Sequence, residues 1–213
     1  MKNRGITNYR KLCIFTGTPR EMKEGIMGKI SAFILRLIGW RMEGHVPEDV
    51  RKFIIAVVPH TSNWDFPLGL LARSAMRRDV KFIGKHTLFL PPYGFIFRWL
   101  GGYPVNRKTS KNYVDSVVEI LDSKDEFSIC VAPEGTRKKV DRLKTGFYHM
   151  ARLAKVPIIL TKFDYGNKVI SFSEPFYTTD DQEADMAFIS NYFAGVQGKN
   201  PEFSYDPGQT LSS

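Results

Sequence analysis

Phe53-Ile54-Ile55-Ala56-Val57-Val58-Pro59-His60-Thr61-Ser62-Asn63-Trp64-Asp65 is the stretch that decides the fold. Its first six residues are apolar and rich in β-branching, the composition of a strand buried on both faces. Pro59 ends the strand because it has no N–H to give to a ladder. Ser62 or Asn63 can cap a helix carrying Trp64, Phe66, Leu68, Leu70 and Leu71. His60 and Asp65 thus fall where the carboxyl end of a strand turns into a helix, the edge at which open α/β sheets bind ligands.

Outward from this stretch, strand-like and helix-like segments alternate. Val80 to Gly84 reads as a short strand, Gly101 to Arg107 as another with a polar end, Phe127 to Ala132 as a second buried strand, and Val156 to Leu160 as a third. Helices are predicted after Ser110, with Val114, Val117, Val118 and Leu121 on one face, near Phe147 to Lys155, and over Asp181 to Phe193. Asp164-Tyr165-Gly166-Asn167-Lys168 reads as the tight connection of a hairpin into Val169 to Ser173. The pattern predicts one α/β domain with a mixed, mostly parallel sheet flanked by helices. Its bounds are 26–195, preceded by a basic arm over 1–25 and followed by a tail over 196–213.

Ile26, Met27, Ile30, Phe33, Ile34, Leu37 and Ile38 recur at spacings of three and four, an amphipathic helix over 26–41. Such a helix is roughly 24 Å long, short of a hydrocarbon core of roughly 30 Å. It carries Lys29 and Arg36, so it can pack on a core or lie on a membrane surface with Trp40 at the interface, but it does not span. Leu88 to Leu100 is dense in aromatic and aliphatic residues, and Pro91, Pro92 and Gly94 interrupt it. It suits core packing, an aromatic-lined pocket or a membrane-facing flap.

The 213 residues hold 31 Lys and Arg against 22 Asp and Glu, a net charge of +9 that favours an anionic partner. Two cysteines, Cys13 and Cys130, are too few for a disulfide framework and suit a reducing compartment. The short apolar piece Leu12 to Phe15 is no signal-peptide core, so a cytoplasmic location is expected.

Three strand ends carry polar groups that can line one site: His60 with Asp65, Arg107, and the loop Pro133-Glu134-Gly135-Thr136-Arg137. A histidine titrating near pH 6.5 can accept a proton from a hydroxyl, and a carboxylate on its other ring nitrogen fixes the tautomer and steadies the imidazolium. No serine or cysteine stands in a G-x-S-x-G elbow, so attack by the substrate's own hydroxyl fits better than a covalent enzyme intermediate. Arg107 and Arg137 offer planar forks for phosphate, Lys144 a point charge, and Gly135 a close backbone approach. Lys138, Lys139 and Arg142 read as a solvated basic face.

His60-x-x-x-x-Asp65, Gly101-Gly102-x-x-x-x-Arg107, Pro133-Glu134-Gly135-Thr136-Arg137 and Val156-Pro157-Ile158 resemble, in order and spacing, the four motif blocks of the glycerolipid (lysophosphatidic acid) acyltransferase family. The resemblance covers roughly residues 50 to 165. It implies an acyltransferase fold with His60 as general base and Asp65 as its charge partner. Arg107, Glu134, Gly135, Thr136 and Arg137 would hold the acceptor's phosphate and glycerol, with Lys144 beside them. The implied reaction moves a fatty acyl group from acyl carrier protein or coenzyme A to a lysophospholipid hydroxyl, without metal or bound cofactor. The implied partners are the thioester donor, the lysolipid and an anionic membrane surface, with the protein peripheral on the cytoplasmic face; no nucleic-acid motif is present. Pro104, Asn106, Ala132 and Thr87 depart from residues common in the family, and an amino-acid lysolipid such as a lyso-ornithine or lyso-glycine lipid would be handled by the same chemistry. An acyl-thioester hydrolase and a non-catalytic basic membrane-binding module are the competing readings.

Overall fold

The structure is a computed structural model and describes residues 19–105 and 113–208. The described residues build a seven-stranded sheet and six α-helices. In chain order these are α1 (Pro19–Leu37), β1 (Arg41–Glu43), β2 (Lys52–Val58), α2 (Asp65–Met76), β3 (Val80–Lys85), α3 (Gly94–Trp99), β4 (Gly102–Val105), α4 (Tyr113–Asp122), β5 (Phe127–Val131), α5 (Gly146–Ala154), β6 (Ile158–Asp164), β7 (Val169–Phe172) and α6 (Gln182–Tyr192). Single 3-10 turns lie at His86–Phe89 and Pro201–Phe203.

The strand order is β1-β7-β6-β2-β5-β3-β4. β6, β2, β5, β3 and β4 run parallel; β7 pairs antiparallel with β6, and β1 joins parallel to β7. β2 is central, with Ile54 opposite Ile129 on one side and Ile158 on the other. Its residues 53–58 are buried, as the opening apolar run requires. Alternate side chains feed two cores. Ile54, Ala56 and Val58 join Ile129, Leu160 and the inner faces of α4, α5 and α6. Phe53, Ile55 and Val57 join Ile159, Phe163, Leu35 of α1 and Leu68 and Ala72 of α2.

The last helix closes the first of these cores through a buried carboxylate. Asp185, read from the sequence only as an acid near a helix N-terminus, accepts the Tyr148 hydroxyl at 2.9 Å and the N–H and hydroxyl of Thr179 at 2.6 and 3.0 Å. A buried acid with both oxygens engaged ties α6 to α5 at little cost. Asp181 caps the same helix by accepting Ala184 N–H.

α1 packs the unexpected way round. The side chains turned onto α2 include Ser31 and Leu35, and Gly28 approaches α2 so closely that a Cβ would lie 2.8 Å from the Ser74 carbonyl oxygen. The apolar stripe Ile26, Met27, Ile30, Phe33, Ile34, Leu37 and Ile38 faces away, with Leu37 73% exposed. Of the two readings left by the sequence, core packing therefore does not hold for this stripe. Small residues allow the two helix backbones to approach, and that places the large ones outside.

The segment from Leu88 to Leu100 lies on the same side of the sheet as α1 and α2. Phe66 of α2 meets Phe82 edge-on at 5.1 Å, and Phe89 fills the space above Gly84 and Gly102. Phe89 alone of this segment's large apolar side chains is fully buried; Leu88, Leu90, Tyr93, Phe95, Ile96 and Trp99 are exposed, Trp99 by 81%. One face thus carries two apolar surfaces that no other described residue covers. No helix among the described residues is long and apolar enough to cross a membrane.

The stretch after 195, expected as a tail beyond the domain, packs onto it: Val196 and Tyr205 are buried. Residues 1–18, with Cys13 and most of the expected basic arm, lie outside the described residues, as do Arg107 and the expected cap Ser110.

Replacing Gly28 by leucine should lower the melting temperature, because overpacking costs about 1–3 kcal/mol and 1 kcal/mol is worth roughly 2–4 °C in a chain of this size. Phe33→Ser, on the uncovered stripe, should leave it nearly unchanged. Thermal unfolding followed by circular dichroism separates the two, and equal losses would mean that the stripe is packed.

Candidate active site

β6, β2 and β5 are parallel neighbours at the middle of the sheet, so the residues just past their carboxyl ends are delivered to one place. From β2 comes His60, from β5 Glu134 and from β6 Tyr165. Asp65 opens α2, immediately after the loop that follows β2.

Asp65 is 4% exposed and its carboxylate is enclosed by donors. Oδ2 lies 2.9 Å from His60 Nδ1 and accepts Ser62 N–H at 2.9 Å; Oδ1 accepts the Tyr165 hydroxyl at 2.8 Å. Burial pushes this acid up, but the bonds from His60, Ser62 and Tyr165 together outweigh it and hold Asp65 below the ordinary carboxylate range. Asp65 is therefore ionised and can only accept, so His60 Nδ1 carries the proton and Nε2 keeps a free lone pair. The His60 side chain remains 25% exposed, within reach of a substrate. Ser62 and Asn63, expected as helix caps, play a different part. Ser62 gives its N–H to Asp65 and accepts Trp64 N–H through its hydroxyl, while the helix starts at Asp65 without a side-chain cap.

Glu134 is 1% exposed, and its Oε2 accepts the backbone N–H of His60 at 2.6 Å. Burial pushes its carboxyl up to about 8; the Asp65 charge adds to this and the His60 N–H opposes it. The sequence grouped Glu134 with acceptor-binding residues. The bond described here goes instead to the backbone that carries the histidine. Gly135 adopts a φ of +65°, favoured by glycine, and Lys144 lies where a Cβ would project. Lys144 N–H also bonds the Pro133 carbonyl at 2.9 Å, folding residues 133–144 back on themselves. Arg137, Lys138, Arg142 and Lys144 are exposed around this loop, and Thr136 accepts Lys138 N–H. β4 ends at Val105, and Arg107 lies outside the described residues.

Several residues of the site carry no motif and were missed. Tyr165 lies, as expected, in the hairpin connection from β6 to antiparallel β7, but that reading gave it no part in the site; its position just beyond a parallel strand was the available signal. The segment 197–200 crosses the site as a strap. Gln197 accepts Tyr165 N–H at 2.8 Å, and Asn200 bonds Thr61 twice, N–H to Oγ1 at 3.1 Å and Nδ2 to the carbonyl at 2.8 Å. Gly198 lies so close to Thr61 that a Cβ would come within 2.6 Å of its hydroxyl oxygen. Lys199 Nζ stands about 6 Å from the ring centres of Trp64 and Tyr165.

The arrangement can accept a proton from a hydroxyl and stabilise the resulting imidazolium. Among the described residues it offers no activated thiol, because desolvation pushes Cys130 on β5 up to about 12. Among the described residues no three His, Cys, Asp or Glu side chains are grouped to hold a metal ion.

The geometry at the carboxyl edge of the parallel sheet is thus a buried carboxylate behind a solvent-accessible histidine. The family model described as Acyltransferase matches residues 26–160, and the chain belongs to that family: it is an acyltransferase. Its structure is similar to the crystal structure of the 1-acyl-sn-glycerophosphate (LPA) acyltransferase PlsC from Thermotoga maritima, with a TM-score of 0.59 and 20% sequence identity over 84% of this chain and 81% of that one. A comparison with curated protein sequences finds no match.

Between about pH 4.5 and 8 the folded protein holds a proton on Glu134 that the unfolded chain, with an ordinary glutamate near 4.3, has already released. Stability from this group is therefore full below the lower value and is lost as pH rises toward about 8. The melting temperature of Glu134→Gln should fall less steeply than that of the wild type across this window. Parallel curves would remove the raised Glu134.

Proposed function

We propose that this acyltransferase moves a fatty acyl group from a thioester, on acyl carrier protein or coenzyme A, to the hydroxyl of a lysophospholipid, with lysophosphatidic acid giving phosphatidic acid as the leading case. The observation that carries this reading is His60, with Nδ1–H held by buried Asp65 and Nε2 left as a base, one loop away from exposed Arg137 and Lys144. His60 Nε2 takes the proton of the acceptor hydroxyl as its oxygen attacks the thioester carbonyl. The tetrahedral intermediate collapses with loss of the thiolate, which receives that proton from the imidazolium and leaves as a free thiol. Asp65 stabilises the imidazolium between the two transfers. Arg107, Arg137 and Lys144 would meet the acceptor's phosphate, and the same cations suit the phosphates of coenzyme A or an acidic carrier. Glu134 supports the site from behind, by fixing the backbone of His60.

The uncovered apolar faces of α1 and of Leu88 to Trp99 support a peripheral position on a bilayer, with the net charge of +9 favouring an anionic leaflet. A lysolipid and its long-chain product both reside there, so docking supplies the acceptor where the base stands. The cytoplasmic face is the expected side.

General-base catalysis contributes about 100-fold to 10,000-fold, so His60→Ala should lower turnover at least about 100-fold, or roughly 2.7 kcal/mol in barrier. The assay is transfer from labelled acyl-carrier-protein and acyl-coenzyme A to a panel of lysolipids. Diacyl product from lysophosphatidic acid that disappears in the variant supports the proposal. Product solely from an amino-acid lysolipid moves the acceptor to that class, and free fatty acid under every acceptor makes the protein a thioesterase.

Binding to vesicles containing phosphatidylglycerol, measured by co-sedimentation, should be strong for the wild type and largely lost in Phe33→Glu, Leu37→Glu. Equal binding of the two would remove α1 from the membrane contact.

A further inference from the structure

We infer that Tyr165 is a positioning residue of this site, its hydroxyl fixing the Asp65 carboxylate so that one oxygen is kept for His60. The inference rests on the general-base reading of His60. Asp65 has two oxygens and they are used differently: Oδ2 serves Ser62 N–H and His60 Nδ1–H, while the donor to Oδ1 is Tyr165. A buried carboxylate oxygen without a donor costs far more than an exposed one. With phenylalanine at 165, Asp65 would be free to turn and share Oδ2 between the histidine and the need to satisfy its other oxygen.

The tyrosine is itself fixed from three sides. Trp40 meets its ring edge-on at 4.8 Å with an interplanar angle of 88°. Its backbone N–H is bound by the Gln197 carbonyl, and β6 sets its approach from the sheet. Burial, and the Asp65 carboxylate beside it, hold the phenol well above its ordinary value, so the hydroxyl keeps the proton it donates. A residue placed and protonated in this way is pre-organised, as a group that aligns a catalytic pair must be.

The donor bond also draws charge from Asp65. Its removal would leave more negative charge beside the imidazolium even as the carboxylate loses its fixed orientation, so the acid limb of the rate profile should move to higher pH. The charged and titratable groups facing the pair are Glu134 from the loop after β5, Tyr165 from β6 and Lys199 from the strap. Glu134 titrates closest to the working range, so the shift should persist when Glu134→Gln is the background.

The experiment compares wild type, Tyr165→Phe, Asp65→Asn and the double variant of the full chain. Tyr165→Phe should fold with an ordinary melting curve and lower kcat about 10-fold, the worth of one hydrogen bond to a charged group. KM for donor and acceptor should stay within about 2-fold, and the acid limb should rise by about half a pH unit. In the Asp65→Asn background the same change should have little further effect, because a positioning role acts through the carboxylate. Proton NMR of the His60 Nδ1–H resonance gives a readout independent of the substrate: its position should change in Tyr165→Phe. An unchanged kcat and resonance, or an equal loss in both backgrounds, would overturn the inference. Full activity in His60→Ala would instead overturn the general-base reading, whatever the resonance does.

Discussion

The buried carboxylate of Asp65 is the constraint on which the site depends. An ionised acid at 4% exposure survives only if its oxygens are engaged. The three donors come from two places: Ser62 and His60 in the loop after β2, and Tyr165 at the end of β6. Satisfying that charge therefore fixes the relative position of two neighbouring strands at their carboxyl ends. Glu134 adds the third strand by taking the N–H of His60. It does so as a group that burial keeps largely protonated, so a second charge is not forced against Asp65. Two acids within one cluster can stand so close because their environments push them in opposite directions.

Much of the fold was legible because its strands are buried on both faces. Apolar runs such as Phe53 to Val58 and Val156 to Leu160 allow little else, and the punctuation at Pro59 and Pro133 marked where each strand gives way to the site. The pairing of His60 and Asp65 was legible for a related reason, since both fall at the strand-to-helix turn. What escaped the sequence depends on contacts between distant segments. Nothing local to Tyr165 announces that its hydroxyl meets a residue 100 positions away, and nothing in Gln197 to Asn200 distinguishes a strap from a loop. The stripe on α1 was ambiguous because periodicity gives a face but not its direction. The direction was set by Gly28 and Ser31, whose smallness lets α2 approach the opposite side.

That reversal gives the molecule two unlike sides. One core, under α4, α5 and α6, is locked by Asp185; the other, under α1 and α2, is bordered by apolar surface that no other described residue covers. Exposed side chains as large as Trp99 and Leu37 are unfavourable in water, and they are grouped rather than scattered.

The strap has a consequence for the order in which the molecule can be made. His60 and Asp65 leave the ribosome early and the sheet neighbours that flank them follow, but Thr61 and Tyr165 receive their last partners from Gln197 and Asn200. Chains fold from the N-terminus as they emerge, so the strands can pair while synthesis continues. The geometry around His60 is completed only after residue 200 has cleared the exit tunnel, so the sheet stands before the cluster at its edge is assembled.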